Sequence, residues 1–152
     1  MHDYRQPPDA ERTMETSRIM RFTPSEVFES FRDPNLLSRW WGPNGFSNRF
    51  LKFDFRDGGE WHFIMVGPNG REYENESRFA SVEDPGLVVI EHISLPKYVL
   101  VVLIEASDEG TRIIWRQTFE NKKTRDNVAN IVGDANEQNL DRMEGVLAEL
   151  ED

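Results

Sequence analysis

The chain has 152 residues, no cysteine, and a formal net charge of −10 from 18 basic and 28 acidic side chains. This length is typical of one domain, and the missing cysteine excludes disulfides, thiolate metal sites and cysteine nucleophiles. The acidic balance argues against a nucleic-acid partner, which needs clustered Lys and Arg, and no apolar stretch approaches the roughly 20 residues of a membrane span. Since no signal-type segment follows Met1, we expect a cytoplasmic protein with neither a nucleic-acid nor a membrane partner.

The N-terminal part predicts a tail, a strand and two short helices. Residues 1–13 contain two prolines and several charges without an apolar period, which predicts a loose tail before a single domain at 14–152. Thr16–Phe22 is the first predicted strand. The sequence Thr23-Pro24-Ser25-Glu26 is a helix start, with a capping Thr, a Pro at the first helical position and a Glu that completes a capping box. Two short apolar helices are predicted from there to Gly42.

The middle of the chain has an apolar period of two, which predicts strands. The candidate strands are Phe46–Phe55, Glu60–Val66, Glu72–Val82, Leu87–Ile93, Tyr98–Ala106 and Thr111–Phe119. Their connections are short and rich in turn residues, which favours consecutive antiparallel hairpins. From Thr124 to Leu150 the spacing becomes helical and predicts one long helix.

This order predicts an α+β fold, in which a curved antiparallel sheet of six to seven strands packs under the C-terminal helix. An antiparallel sheet must cover one face, and the last helix is the only element long enough to do so. Twisted strands that curl around one helix leave space that side chains do not fill everywhere. The sequence therefore predicts an internal cavity between the sheet and the last helix.

Four motifs carry a resemblance to a known family. They are Arg39-Trp40-Trp41-Gly42-Pro43, Asp54-x-Arg56-x-Gly58-Gly59-x-Trp61, Gly67-Pro68-Asn69-Gly70 and Gln138-Asn139-Leu140-Asp141-Arg142-Met143. With them, the sequence resembles the activator of heat-shock protein 90 ATPase homologue-like family of the START/Bet v-like (SRPBCC, helix-grip) superfamily. The resemblance implies the helix-grip fold and the binding of small apolar molecules. Ser77 departs from the family pattern, because a glycine is common at its position.

Alternation along the strands assigns the side chains of the predicted cavity. Three carboxylates, Glu72, Glu74 and Glu76, are too costly to bury together, so the residues between them must point inward. For Tyr73 and Asn75, hydrogen-bond partners within the protein and a bound ligand are both open. The predicted ligand-binding residues are Trp61, Phe63, Met65, Tyr73, Asn75, Phe79, Ile90, His92, Trp115, Gln117 and Met143.

His92 is the one imidazole predicted on the inner side of the sheet. A lone interior histidine is more often a hydrogen-bonded core residue than a catalyst, so no catalytic residue is assigned and His92 is the single candidate. A metal site would need two or three converging ligands. We therefore expect neither a metal nor a cofactor.

The sixth strand, Tyr98–Ala106, is apolar on both faces. This pattern predicts a strand that is covered on both sides, and a second subunit is one candidate for the outer cover. The acidic residues of the last helix predict a solvated outer face, while Asn136 and Asn139 flank its apolar stripe and are candidates to reach the cavity.

Three functions fit the sequence. The favoured one is a binding protein for a small apolar or amphipathic molecule. The first alternative is a polyketide cyclase/dehydratase-like or hydrolase-like enzyme that uses His92 or Tyr73 for proton transfer. The second alternative is a chaperone-interacting protein, as the family name implies, although we do not expect chaperone contact.

Overall fold

The computed structural model describes residues 3–6 and 8–151 of the chain. Within these residues, the 3₁₀ helix Ala10–Arg12 precedes seven strands and three α-helices. The strands are β1 Thr13–Met20, β2 Ser47–Phe53, β3 Glu60–Val66, β4 Glu72–Glu83, β5 Leu87–His92, β6 Tyr98–Ser107 and β7 Gly110–Phe119. The helices are α1 Pro24–Arg32, α2 Pro34–Trp40 and α3 Lys122–Leu150. The α+β fold with a long C-terminal helix is confirmed.

The strands form one antiparallel sheet in the order β1-β7-β6-β5-β4-β3-β2. Short turns connect β2 to β7 in succession, as neighbouring antiparallel strands allow. β1 pairs with β7, from Thr13 opposite Thr118 to Met20 opposite Thr111. It ends before the predicted Phe22, because Phe22 is buried in the turn to α1 and extends the apolar period beyond the last strand pair.

The sheet has two buried faces. The inner face, which the α-helices cover, belongs to the main core and includes Trp61, Phe79 and Trp115. The outer face carries a second apolar cluster, which we call the outer cluster: Leu87, Val89, Val101, Leu103 and Ile114. Both faces of β6 are therefore removed from water, which accounts for its uninterrupted apolar sequence.

The N-terminal segment lies against the outer face of the sheet. Tyr4 packs on the outer cluster, and Arg5 Nη1 lies 3.2 Å from Glu83 Oε2. Arg12 Nη1 donates a hydrogen bond to the Phe119 carbonyl oxygen at 3.1 Å. The described part of this segment thus contacts the sheet, where the sequence predicts a loose tail. The reason is the apolar outer face of β6, which favours any segment that removes it from water.

The side chain of Arg116, on the outer face of β7, is also removed from water. Alternation predicts that this side chain faces water, but its residue is only 6% exposed. Its Nε donates to Glu15 Oε1 on β1 at 2.6 Å. The outer cluster is buried without a partner chain, and the homodimer remains a prediction.

Helices α1 and α2 begin at strong capping signals. The Glu26 N–H donates to Thr23 Oγ1 at 3.1 Å and the Thr23 N–H donates to Glu26 Oε1 at 3.0 Å, which completes the predicted capping box. Asp33 then caps α2 by accepting the Asn35 N–H at 2.9 Å. The two short helices deliver the buried rings of Trp40 and Trp41 to the inner face.

Arg142 of α3 holds the loop that follows α2. Its guanidinium nitrogens donate to five backbone carbonyls at 2.7–3.3 Å, those of Arg39, Trp41, Gly42, Pro43 and Phe46. Asn139 of the same helix accepts the Gly42 N–H at 2.7 Å. Burial lowers the pKa of Arg142, while the carbonyl dipoles at the end of α2 stabilise its positive charge. One side chain therefore joins α3 to α2 and to the start of β2.

Replacement of Arg142 by Met should lower the free energy of unfolding by about 2–4 kcal/mol, because several partly buried carbonyls lose a charged donor. Chemical denaturation measures the change. Arg39→Met is the matched control, since the Arg39 side chain pairs only with the exposed Glu149 and its loss should cost less than about 1 kcal/mol. Equal losses in the two variants would contradict this role of Arg142.

Arg18 of β1 binds the acidic face of α3. Its guanidinium lies 2.9 Å from Glu137, 2.7 Å from Asp141 and 2.7 Å from Glu144. Burial of Arg18 would lower its pKa, but the hydrogen bonds to these three carboxylates outweigh it and raise the pKa. The acidic face of α3 is thus solvated only in part, because its middle is neutralised by the edge strand of the sheet.

Arg18→Gln should leave three neighbouring carboxylates without their shared cation. We expect a loss of about 1–3 kcal/mol in low salt, and a smaller loss as NaCl screens the repulsion. Denaturation at about 20 mM and about 500 mM NaCl tests both statements. Arg21→Gln, which removes an exposed pair with Glu151, is the control and should show little change. A loss that is independent of salt would contradict the electrostatic explanation.

Candidate functional site

Six of the predicted ligand-binding residues are packed in the core. Each is at most 2% exposed: Trp61, Phe63, Phe79, Ile90, Trp115 and Met143. The ring of Trp41 lies between two of them, with its centroid 5.0 Å from that of Trp61 and 6.0 Å from that of Trp115. Aromatic rings from α2 therefore occupy much of the space over this part of the inner face.

Three polar groups in this apolar region have no hydrogen-bond partner within the described residues. They are Trp61 Nε1, Trp115 Nε1 and Ser77 Oγ, all on residues at most 2% exposed. Trp61 and Ser77 lie directly opposite each other on β3 and β4. A buried donor without an acceptor costs about 1–3 kcal/mol, so such groups are rare in folded proteins. No group of the described residues supplies a partner for them.

His92 continues the same row across the sheet. It lies opposite Ser77 on β4 and Tyr98 on β6. Its Nδ1 is 2.8 Å from the Pro96 carbonyl oxygen, and its Nε2 is 2.8 Å from Asn75 Oδ1. The Tyr98 ring stacks on the imidazole, with centroids 4.6 Å apart and an interplanar angle of 10°. Both ring nitrogens therefore have partners within the protein.

The oxygens of Pro96 and Asn75, beside the two ring nitrogens, determine where neutral His92 carries its proton. A neutral imidazole has one N–H, and the Pro96 carbonyl can only accept, so this N–H belongs on Nδ1. Only the imidazolium form donates to both Pro96 and Asn75. Burial nevertheless lowers the pKa of His92, against the opposing effect of the Pro96 and Ser94 backbone groups. Burial likewise raises the pKa of the stacked Tyr98.

The amides near α3 also bind protein groups. Asn136 Nδ2 donates to Gln117 Oε1 at 3.1 Å, between α3 and β7. Asn139 reaches the loop after α2 and accepts the Gly42 N–H. Both asparagines therefore have hydrogen-bond partners within the chain, and their contact with a ligand cavity stays a prediction. Of the predicted polar residues, Asn75, His92 and Gln117 are all held by hydrogen bonds within the chain.

Met65 and Tyr73 mark the least buried end of the inner face. They lie opposite each other at the hairpin between β3 and β4. Met65 is half-buried, and a Cβ on Gly42 would come within 2.7 Å of its Cε atom, so this loop needs glycine there. Tyr73 is 41% exposed and its ring lies 6.2 Å from that of Phe46. The predicted inward Tyr73 is instead a rim residue, because its strand reaches beyond the helices.

Two cavities lie away from the aromatic core. The larger, of about 450 Å³, lies beneath the N-terminal segment, where Val99 and Val101 of the outer face line it together with His92 and Tyr98. The smaller, of about 260 Å³, lies between β1 and α3, beside Met14 and Asn136. In residues 3–6 and 8–151, no group of three acidic or imidazole side chains is arranged to hold a metal ion. None of the helices described has the length and apolar character of a membrane span.

Comparison with known proteins assigns the family. The profile described as activator of Hsp90 ATPase homolog 1-like protein matches residues 21–148, which is most of the chain. The chain belongs to this family. No curated protein matches it significantly.

Solved structures share the fold of this Hsp90 ATPase activator homologue-like chain. A protein from Nitrosomonas europaea is 20% identical, with a TM-score of 0.87 over 95% of this chain and 99% of that one. A protein from Arthrobacter aurescens is 21% identical, with a TM-score of 0.84 over 98% and 90% of the two chains. The AHSA1 protein from Silicibacter pomeroyi is 20% identical, with a TM-score of 0.76 over 92% and 99%. At these identities the likeness concerns the fold alone.

Two features of the site escape the sequence prediction for this family member. Alternation does not place Tyr98 at the site, because its strand is apolar on both faces. The short turn between β5 and β6 nevertheless brings Tyr98 opposite His92. The Ser77 hydroxyl has no hydrogen-bond partner in the described residues, which alternation along the strand cannot predict.

The lowered pKa of His92 predicts a pH-dependent stability. Between about pH 6.5 and the lower pKa of the folded state, the unfolded chain binds a proton at His92 and the folded protein does not. The free energy of unfolding should therefore decrease as the pH falls through this window, by at most about 1.4 kcal/mol per pH unit.

Denaturation of the wild type and of His92→Gln from pH 8 to about pH 5 measures this slope, and the variant should have a flatter one. His62→Gln, on the opposite face of the sheet, is the control and should keep the wild-type slope. Equal slopes in the wild type and His92→Gln would rule out His92 as the responsible group.

Proposed function

We propose that the protein binds a small, largely apolar molecule on the inner face of the sheet. The observation that carries this proposal is the set of buried, unpartnered groups, Trp61 Nε1, Ser77 Oγ and Trp115 Nε1. A hydrogen-bond acceptor on a ligand supplies what Trp61 Nε1 or the neighbouring Ser77 Oγ lacks, while the apolar body of the ligand contacts the surrounding rings. Most of the affinity then comes from burial of apolar surface, at about 25 cal/mol per Å² before the costs of binding.

The position of these groups limits the shape of the ligand. Entry is from the end of β3 and β4 where Met65 and Tyr73 are least buried. Trp61 lies four residues from Met65 on β3, on the side away from this entrance, and the separation corresponds to about 13 Å of strand. The proposed ligand is therefore elongated, with its acceptor at the inner end. Apolar side chains must move apart to admit it, and the adaptable Met65 and the aromatic edges of α2 are the movable walls.

Binding is favoured over the enzymatic alternative by the surroundings of His92. General acid–base catalysis needs a group that exchanges protons with a substrate, oriented by a second polar group. The hydrogen bonds of His92 run to an amide and to carbonyl and hydroxyl oxygens, and no carboxylate of the described residues pairs with it. His92 with Asn75 is better suited to shape the polar end of a binding site.

Ser77→Ala separates ligand binding from structure. Removal of an unpartnered buried hydroxyl should raise the free energy of unfolding of the free protein by up to about 1 kcal/mol. The same change should weaken binding of 2-decanone, a neutral apolar chain with a terminal acceptor, by roughly fivefold. Opposite signs for stability and affinity are not expected of a purely structural serine. Tryptophan fluorescence follows the titration, and native mass spectrometry of the freshly purified protein detects any retained molecule.

Ser30→Ala is the matched control, because Ser30 is equally buried but its hydroxyl already donates to the Val27 carbonyl at 2.7 Å. That variant should leave the affinity for 2-decanone unchanged. Decane, which lacks the acceptor, should bind more weakly than 2-decanone to the wild type. Equal binding of decane and 2-decanone, or no saturable binding together with no retained mass, would refute the proposal.

A further inference from the structure

A cavity between the N-terminal segment and strands β5, β6 and β7 lies beside the outer cluster. Its volume of about 450 Å³ falls within the range of about 300–1,000 Å³ that is usual for small-molecule sites. Its floor is formed by β5, β6 and β7, with Val99, Val101 and Thr118 from the outer face and with His92, Tyr98 and Phe119 at the strand ends, and its roof is the N-terminal segment. None of Trp61, Ser77 and Trp115 lines this cavity, although His92 and Tyr98 do.

The floor of this cavity is apolar. Val99 and Val101 of β6 line it, together with Ile93 at the end of β5. Val101 is almost fully buried, but Val99 is only half-buried and Ile93 is 40% exposed. The outer cluster is thus covered at one end by Tyr4 and left accessible at the other. A contiguous apolar surface under a roof gains stability when an apolar molecule displaces water from it.

The roof is held at both of its ends. On one side, Arg12 donates to the carbonyl oxygens of Phe119 and Glu120, and the Asp9 carboxylate accepts the Glu11 N–H at 2.9 Å. On the other side, Tyr4 packs on the outer cluster and Arg5 pairs with Glu83. Between these anchors, Gln6 and Pro8 face the cavity. The described residues of this segment, 3–6 and 8–12, which we call the N-terminal strap, lie over the cavity rather than filling it.

The charges at the rim favour an uncharged occupant. Lys97 and Arg12 contribute positive charge, and Glu91 and Glu120 contribute negative charge. Glu91 is paired with Arg78 at 2.9 Å, and Arg12 lies 3.5 Å from Asp9. Because both signs are present in equal number, the rim attracts neither anions nor cations selectively. The Gln6 side chain offers a donor and an acceptor for one polar substituent.

We infer that this outer cavity is a second binding site, for a small uncharged apolar molecule held between the N-terminal strap and the valines of β6. A molecule bound there contacts both the strap and the sheet, so it should hold the strap in place. The inference does not depend on the proposed inner-face site, because it rests on Val99, Val101 and the strap and not on Trp61, Ser77 or Trp115.

N-phenyl-1-naphthylamine, a neutral fluorophore, is a suitable probe. Titration of the intact protein should give a saturable rise in fluorescence with one probe per chain. Val99→Phe, which fills the floor, and removal of residues 1–8, which removes most of the roof, should each weaken binding at least tenfold. The bound probe should also slow tryptic cleavage after Arg5. Circular dichroism of each variant establishes that it is folded, and Val99→Phe keeps the test valid if the shortened chain is unstable.

Two controls separate this site from the inner one. Ile19→Phe enlarges an exposed side chain of β1 that does not line the cavity, and should leave probe binding unchanged. Ser77→Ala should also leave it unchanged, while Val99→Phe should not alter the affinity for 2-decanone. Absence of saturable binding to the intact protein, or less than twofold weakening in the folded Val99→Phe variant, would overturn the inference. Weakening by Ser77→Ala instead would assign the probe to the inner face.

Discussion

The contact between Arg142 and the loop after α2 determines much of the architecture. A single guanidinium satisfies five carbonyls at the end of a short helix, where backbone acceptors have no partner within the helix itself. Because Arg142 projects from α3, the contact fixes the long helix relative to α1, α2 and the beginning of β2. The rings of Trp40 and Trp41, at the end of α2, are thereby placed against the sheet. The motif at residues 39–43 and the motif at residues 138–143 therefore supply the acceptors and the donor of this contact.

The placement of these rings divides the inner face of the sheet. Where Trp41 packs on Trp61 and Trp115, side chains fill the space that a curved sheet and one helix would otherwise leave. Toward the β3–β4 hairpin the packing is looser, and Asn75, His92 and Tyr98 form a polar and aromatic patch. The unpartnered Trp61 and Trp115 N–H groups lie in the filled region, and Ser77 lies between Trp61 and His92. This arrangement combines a stable core with a place where a ligand improves the hydrogen bonding of the protein.

The outer face follows a different principle. A sheet with helices on one side commonly exposes polar residues on the other, but here β6 is apolar on both sides, and β5 and β7 add Leu87, Val89 and Ile114 to the outer cluster. The N-terminal segment covers one end of the outer cluster with a single aromatic side chain. Its exposed Arg5–Glu83 pair contributes little to stability. Because Tyr4 covers only part of the outer face, the apolar surface of Val99 beside it stays accessible and lines the outer cavity.

The sequence by itself determined the order of the elements and the side of the sheet on which most strand residues lie. Alternation and turn chemistry are local properties, so β3 and the capping box at Thr23 could be predicted from neighbouring residues alone. The partners of Arg142, the stacking of Tyr98 on His92 and the position of the N-terminal segment depend on residues far apart in the chain. Only the tertiary structure decided these contacts, since side-chain reach and hydrogen-bond geometry change with ångström-scale shifts between elements. The same reason explains why alternation assigned Ser77 to the inner face but could not reveal that its hydroxyl lacks a partner.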